Sequence, residues 1–469
     1  MKKNECGSYW EQACRFFRST SFAKLEGSYF LHNRNSETVR IGVMCQLSVS
    51  VGGGHVTRIE DGQKADAPLP SDGGSFFKHI EKLMKKEAPC FLVVSPDIHR
   101  RYVDTSLPQV HLVQPALEFI FSPDEADGQI SYARDAACER QGLAMLRAAI
   151  EKPLAARQDD PGVLRPFAEL AAGWVPAEED ESFLKRLSEA IDNLQAYPDG
   201  KMTLTRAYER RMAAKHDPFK LYELHAGING EYAFSHFFCI QEDVYSVGTT
   251  PENVFEIHQN ALSVDVVAAT CIASTDDRYL ARELYDNPKQ IKEHRSSLAN
   301  RQDRFKRFCV DGSIRVVQDM HVKSLRNVCH LHSVFTGKLL PQVTLFDLVG
   351  NIFPLLGARP KELLAKADAE TAPHRYYAGV VGHLHQGSGG CFLNIRNALL
   401  KNEVIHAKVG VGVIKESNPE LELVETRDKL SGLLEAIYLW EQSGACESGP
   451  ELQEGSFPKV APDVHLADL

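Results

Sequence analysis

Residues 409–429 read VGVGVIKESNPELELVETRDK: an apolar strand, a polar stop and the first turns of an amphipathic helix. Ser417 with Glu420 three positions on has capping-box spacing, and Pro419 suits a first helical turn. Glu422, Glu425 and Lys429 then fall at i, i+3 and i+7, along one stripe of the helix. Two carboxylates on adjacent turns suit a hard cation, and the lysine suits an anion. A solvated charged face accounts for the same spacing. Gly410 and Gly412 in the strand let backbone amides approach an anion, or mark a bulge or a packing contact.

Upstream, the pattern predicts antiparallel sheet interleaved with helices. YAFSHFFCI (232–240), VYSVGTTPE (244–252) and NVFEIHQNALSVDVVAAT (253–270) alternate with period two and are joined by hairpin-like turns. A helix is predicted over 276–309 with a break at Asn287-Pro288, and YYAGVVGHLHQ, GCFLNIRNALLKN and VIHAKVGVGVI add further strands. Phe183, Leu184, Leu187, Ala190, Ile191 and Leu194 recur at helical spacing up to the Tyr197-Pro198-Asp199-Gly200 stop, after which KMTLTRAYERRM opens a strand on Lys201. Residues 38–60 read as strands broken at Gly52, Gly53 and Gly54, and Asp127-Gly128 as a hairpin turn. The polar, proline-containing stretch 157–182 suggests a boundary, and residues from 444 onward suggest a loose tail.

The totals exclude several classes. Of 469 residues, 43% are hydrophobic and 25% charged, enough to bury a large core. A net charge of −10, without a block of Lys and Arg, argues against a nucleic-acid or polybasic membrane role. The N-terminus lacks the apolar core of a signal peptide, and no apolar run approaches the roughly 18 residues of a span. Eleven scattered cysteines without a CxxC pair read as reduced thiols in a cytoplasm. Walker A, HExxH, GxSxG and the Rossmann fingerprint are absent.

Other residues invite chemistry with a plain alternative beside each. Gln290 and Glu293 repeat the i, i+3 geometry, followed by His294; two helices giving one glutamate each would suffice for Mg²⁺. Glu252, after a proline between two strand-like runs, is placed to enter a pocket or simply to finish a turn. Arg396, flanked by Leu393, Ile395 and Leu399, needs an anion, either an internal carboxylate or a substrate.

Taken together and in order, these stretches resemble the chorismate-utilising enzymes (anthranilate, aminodeoxychorismate, isochorismate and salicylate synthases) over about residues 183–441. TTPENVFEI is similar to the family's S-P-E turn, VVAATC to P-I-A-G-T-R, and NPKQIKEH to D-P-K-E-x-x-E-H. VCHLHSVFTGKL is similar to M-H-L-x-S-x-x-x-G-x-L, YYAGVVG and FLNIRNALL to the Y-x-G-x-x-G and I-R strands, and 409–429 to A-G-A-G-I-V-x-x-S-x-P-x-x-E-x-x-E-T-x-x-K. The resemblance implies an α+β fold of large antiparallel sheets packed together with helices outside, as in anthranilate synthase component I. Residues 1–180 would form its variable N-terminal part, 181–443 the chorismate-binding region and 444–469 a flexible tail.

It implies a Mg²⁺ site of Glu293, Glu425 and, through water, Glu422. Arg396, Tyr377 and Lys429 would hold chorismate carboxylates, with the amides of Gly410 and Gly412 nearby and Thr270 and His330 close to the ring. His330 and Tyr377 could equally be core residues. Family members that add water open a strand K-V-V-L-S-R, which KMTLTR fits, whereas ammonia-using members carry glutamine there. Lys201 is then the general base, desolvated and so able to take a proton from water, and protonated Glu252 the acid for the departing C4 hydroxyl. The implied product is isochorismate, or salicylate after loss of pyruvate, for siderophore or other aromatic secondary metabolism. Lys201 argues against an amidotransferase subunit. An amino-transferring synthase and a non-catalytic binding protein are the alternatives. Departures from the family motifs are Ala269 and Cys271 in VVAATC, Gln290, Val424 and a shortened loop FPLLGARPK (353–361); the Ala269 methyl is expected to narrow the pocket.

Overall fold

The computed structural model describes residues 6–69, 76–99, 104–150, 165–230, 232–325, 328–353, 355, 357–367 and 372–443. The expected tail and residues 157–164 of the expected boundary lie outside these. Residues 165–182 tie into the fold: Val175 and Pro176 pair with Glu209 and Tyr208, and Arg165 pairs with Glu435. Among the described residues no helix is long and apolar enough to cross a membrane.

An unbroken path of antiparallel pairings organises the chain. It runs from the edge strand Arg315–Ser324 through Val328–Lys338, Ala261–Ile272, Asn253–His258, Ser388–Asn394 and Gly379–His385 to Cys90–Val94. Val110–Phe121 and the 15-residue Thr38–Gly52 continue it, one against the other along almost their whole length. Tyr29–Asn33, Phe234–Gln241, Val244–Thr250, Asn397–Lys401, Val404–Val413 and Lys201–Arg211 complete it.

The path folds into two packed layers. Between them Phe234 stacks on Phe392 with ring centres 3.9 Å apart, and Phe91 meets Phe238 edge-on at 4.6 Å, in a cluster with Tyr29, Val381 and Leu399. Such aromatic pairs add about 0.5–1.5 kcal/mol each beyond the area they bury. Helices cover the outer faces. Phe183, Leu187, Ala190 and Leu194 of Asp180–Leu194, the stripe legible in the sequence, pack on Met202, Leu204, Val411 and Val413. Leu298 and Phe305 of Pro288–Lys306 pack on Val264, Val266 and Phe335 of the other layer. The architecture is therefore the expected α+β arrangement of large antiparallel sheets with helices outside.

Both helices that carry the candidate carboxylates start on Asn-Pro. Asn287 accepts from Lys289 N (3.1 Å) and Asn418 from Leu421 N (3.0 Å), with Pro288 and Pro419 in the first turn, where a missing N–H costs nothing. The expected cap on Ser417 is displaced by one residue: its hydroxyl instead accepts from Ile414 N at the end of the preceding strand.

Candidate active site

Two segments pass side by side from one layer to the other. Val244–Thr250 pairs in the first layer and Asn253–His258 in the second, leaving Pro251 and Glu252 at the crossing. Ser388–Asn394 and Asn397–Lys401 make the same transfer in reverse, leaving Ile395 and Arg396. The run that reads as one strand in the sequence is thus two, broken where Arg396 takes a left-handed backbone (φ 52°). The crossings are tied by Thr249 N to Arg396 O and Leu393 N to Glu252 O, both 3.3 Å, and by the His225 ring to Arg396 O at 2.7 Å.

A cavity of about 220 Å³ opens at this crossing. It gathers Lys201, Glu252, Thr270, Glu293, His330, Tyr377, Arg396, Gly410, Gly412 and Lys429, drawn from distant parts of the sequence. Glu422 and Glu425 do not line it and are reached from it through lysines. Arg301, Arg304 and Arg359 also face it, so six cationic side chains oppose Glu252 and Glu293 in a protein of net charge −10. Such a lining suits a small polyanion. These three arginines, with Ser297 and Asn300, were not anticipated. Glu293, Ser297, Asn300, Arg301 and Arg304 recur at helical spacing, and that polar face was the signal available in the sequence.

Arg396 is more than nine-tenths buried, and its Nε has no hydrogen-bond partner. The internal carboxylate that would have explained it is not there among the described residues. Glu252 is also buried and accepts from Arg301 Nη2 at 2.7 Å. Burial pushes its carboxyl up from the ordinary value; the Arg301 guanidinium opposes this without reversing it. His330 shares a hydrogen bond with Thr270 Oγ1 through Nδ1 (3.1 Å), and its Nε2 is buried without a partner. Burial, with Arg396 and Lys429 nearby, holds His330 well below the usual imidazole value, so its ring is neutral.

Lys201 opens the strand Lys201–Arg211, as expected, and is paired across it with Arg359 of the short loop. Its Nζ lies 3.1 Å from Glu293 Oε1 and 3.2 Å from Ser297 Oγ, and the side chain is 25% exposed. Gly412 makes that reach possible, since a Cβ there would stand 2.6 Å from Lys201 Cε. At Gly410 a Cβ would come within 3.0 Å of the Tyr377 hydroxyl.

Lysines and glutamates alternate behind this wall. Lys289 lies 3.6 Å from Glu293 Oε2 and 3.1 Å from Glu422 Oε1, while Lys429 pairs with Glu425 at 2.5 Å. Burial alone would raise Glu293, but Lys201, Lys289 and Lys429 outweigh it and hold the carboxyl at about 2. Burial and the neighbouring Glu425 push Glu422 up. Among the described residues no three His, Cys, Asp or Glu side chains are grouped to hold a metal ion as they stand. Lys289 sits between two of the expected ligands. The donors nevertheless fit Mg²⁺: they are hard carboxylate oxygens, and Glu422 Oε2 is buried without any hydrogen-bond partner.

The departures also find places. Gln290 turns to the backbone of Thr270, accepting from its N (3.3 Å) and donating to its O (2.9 Å). Ala269 sits at a bulge with φ 67°, and its methyl belongs to an apolar cluster with Leu280, Leu284, Cys329 and Leu331. Ala269 is also among the residues that line the cavity.

A sequence model of the chorismate binding enzymes matches residues 49–435. Anthranilate synthase component 1 of Lactococcus lactis is 30% identical over 207 residues, 42% of this chain and 45% of that protein. Its counterpart in Haloferax volcanii is 27% identical over 333 residues, 68% of this chain and 60% of that protein. The chain spans between 41% and 62% of the length of these and similar curated relatives. Anthranilate synthase component I from Streptococcus pneumoniae superposes with a TM-score of 0.70 at 19% identity, covering 85% of this chain and 92% of that one. A putative 2,3-dihydroxybenzoate-specific isochorismate synthase from Bacillus anthracis gives 0.65 at 18%, covering 90% and 100%. At these identities the superpositions establish the fold.

Proposed function

The chain belongs to the chorismate-binding enzymes, and from that membership we propose that it converts chorismate to isochorismate by adding water at C2 with loss of the C4 hydroxyl. The observation that carries this reading is Lys201, an amine rather than an amide, standing at the cavity wall beside Glu293 and Ser297. Arg396, lacking an internal carboxylate, takes a substrate carboxylate together with the Tyr377 hydroxyl, and Lys429 with the amides of Gly410 and Gly412 receives the other. Lys201 pairs with Glu293 as an ammonium and must first give up that proton; its Nζ then accepts one from the attacking water, and the Glu252 carboxyl, pushed up from its ordinary value by burial, gives one in its protonated form to the departing hydroxyl. Neutral His330, braced by Thr270, borders the ring and supplies a polar contact without adding charge. Glu293, Glu422 and Glu425 are the residues that would hold Mg²⁺, which when bound draws electron density from the ring carboxylate. Subsequent loss of pyruvate would give salicylate.

The relatives named anthranilate synthase component 1 favour a second reading, ammonia in place of water with an amidotransferase partner. Incubation with chorismate and Mg²⁺, with and without ammonium salts, followed by chromatography of the products, separates the two. Isochorismate or salicylate is expected in both mixtures, and an aminated product would overturn the assignment. Lys201→Gln is expected to lower hydration by at least about 100-fold with the circular dichroism spectrum unchanged.

A further inference from the structure

Cys271 and Cys329 face each other directly across the antiparallel ladder of Ala261–Ile272 and Val328–Lys338. Directly opposed residues on such strands project to the same face with Cβ atoms about 4.5–5.5 Å apart. A disulfide spans about 3.5–4.5 Å between Cβ atoms, so a small inward shift closes the gap. The structure agrees on the shared face: Cys329 is fully buried in the cluster of Ala269, Leu280, Leu284 and Leu331, and Cys271 packs at its rim, half-buried. The Cys329 thiol now faces Ser324 Oγ on the third strand, at 3.5 Å, and must turn from it to reach Cys271. Both cysteines interrupt motifs that elsewhere in the resemblance carry a basic residue and a methionine. The next rung of the ladder is Thr270 opposite His330, whose side chains meet in the cavity.

We propose that Cys271 and Cys329 form a reversible intramolecular disulfide by exchange with a low-molecular-weight disulfide such as oxidised glutathione. The Cys271 thiolate, the more exposed of the two, attacks one sulfur of the small disulfide and releases one thiol. The Cys329 thiolate then attacks the mixed disulfide at the Cys271 sulfur and releases the second. Two protein thiols give up two electrons and two protons, and the small disulfide takes up both. Burial pushes the Cys271 thiol up to about 12, which makes the exchange slow near neutrality.

The test is incubation of the full chain with oxidised glutathione, alkylation of remaining thiols after unfolding, and non-reducing peptide mapping. The expected product joins the Cys271 and Cys329 peptides at a mass about 2 Da below their sum. It should revert with dithiothreitol, be absent from Cys271→Ser, and form about tenfold faster per unit rise in pH. Recovery of Cys271 as a glutathione adduct with Cys329 still alkylated, or of both cysteines alkylated, would overturn the proposal.

Discussion

Glu252 shows how the fold sets the state of one proton. Desolvation raises its carboxyl and the Arg301 guanidinium lowers it, and the balance leaves it above its ordinary 4.5. A general acid must be protonated, so turnover should fall as pH rises through that elevated value, and the falling limb should vanish in Glu252→Gln. The glutamine should also cost at least about 100-fold in turnover. Stability should move the other way. A carboxyl whose folded value is raised costs the fold free energy above that value, and the cost is relieved as pH falls. Glutamine removes the cost while still accepting from Arg301. Glu252→Gln should therefore melt no lower than the parent at neutral pH, and a clear drop would mean that the ion pair outweighs burial.

The helix Pro288–Lys306 makes the corresponding point for an element. From its first turn Lys289 reaches both Glu293, one turn on, and Glu422 on the helix Pro419–Gln442, so an ammonium stands where the carboxylates would share a cation. Lys289→Met should raise the affinity for Mg²⁺ without substrate, by about tenfold, in calorimetric titration. It should also lower the melting temperature in metal-free buffer and let Mg²⁺ restore it, because an ion that binds the folded form stabilises it. Unchanged metal affinity would place the ion elsewhere. Most of this helix was legible: the break at Asn287-Pro288 and the Gln290–Glu293 spacing follow from local chemistry. Its inward polar face was not, since Ser297, Asn300, Arg301 and Arg304 look like any solvated stripe until a sheet lies beneath them. The break at Glu252 was legible from Pro251 between two strand-like runs, but that the chain changes layers there was not. The break at Arg396 was hidden altogether: the run reads as one strand, and only pairing with non-local strands divides it. Lys201 was legible as a strand opening; its partners, 92 and 96 residues away, were not.

At the scale of the whole molecule, one buried charge adds to the aromatic cluster and the crossings that join the layers. Glu118 is fully buried on Val110–Phe121 and accepts from Tyr29 Oη (2.5 Å), His383 Nε2 (2.7 Å), Arg40 Nη1 (3.0 Å) and Ser131 Oγ (2.7 Å). These residues come from four other strands on both sides of the shared long pair. Burial by itself would raise the carboxyl, but the hydrogen bond from the His383 ring, the Arg40 charge and the Tyr29 hydroxyl hold it well below the ordinary 4.5, while burial keeps the His383 imidazole itself below its usual value. A carboxylate depressed in this way stabilises the fold above its unfolded value, and the contribution is lost as pH falls towards the folded one. Glu118→Gln keeps the shape but leaves Arg40 without its counter-charge and Tyr29 and His383 facing an amide that can also donate. The expected loss is about 3 kcal/mol or more at neutral pH, read from urea denaturation. The gap between parent and variant should narrow below about pH 4.5, where the parent's carboxylate begins to lose its advantage over the unfolded chain. A gap that does not change with pH would show that Glu118 is already protonated in the fold, with hydrogen bonding rather than charge joining the two layers.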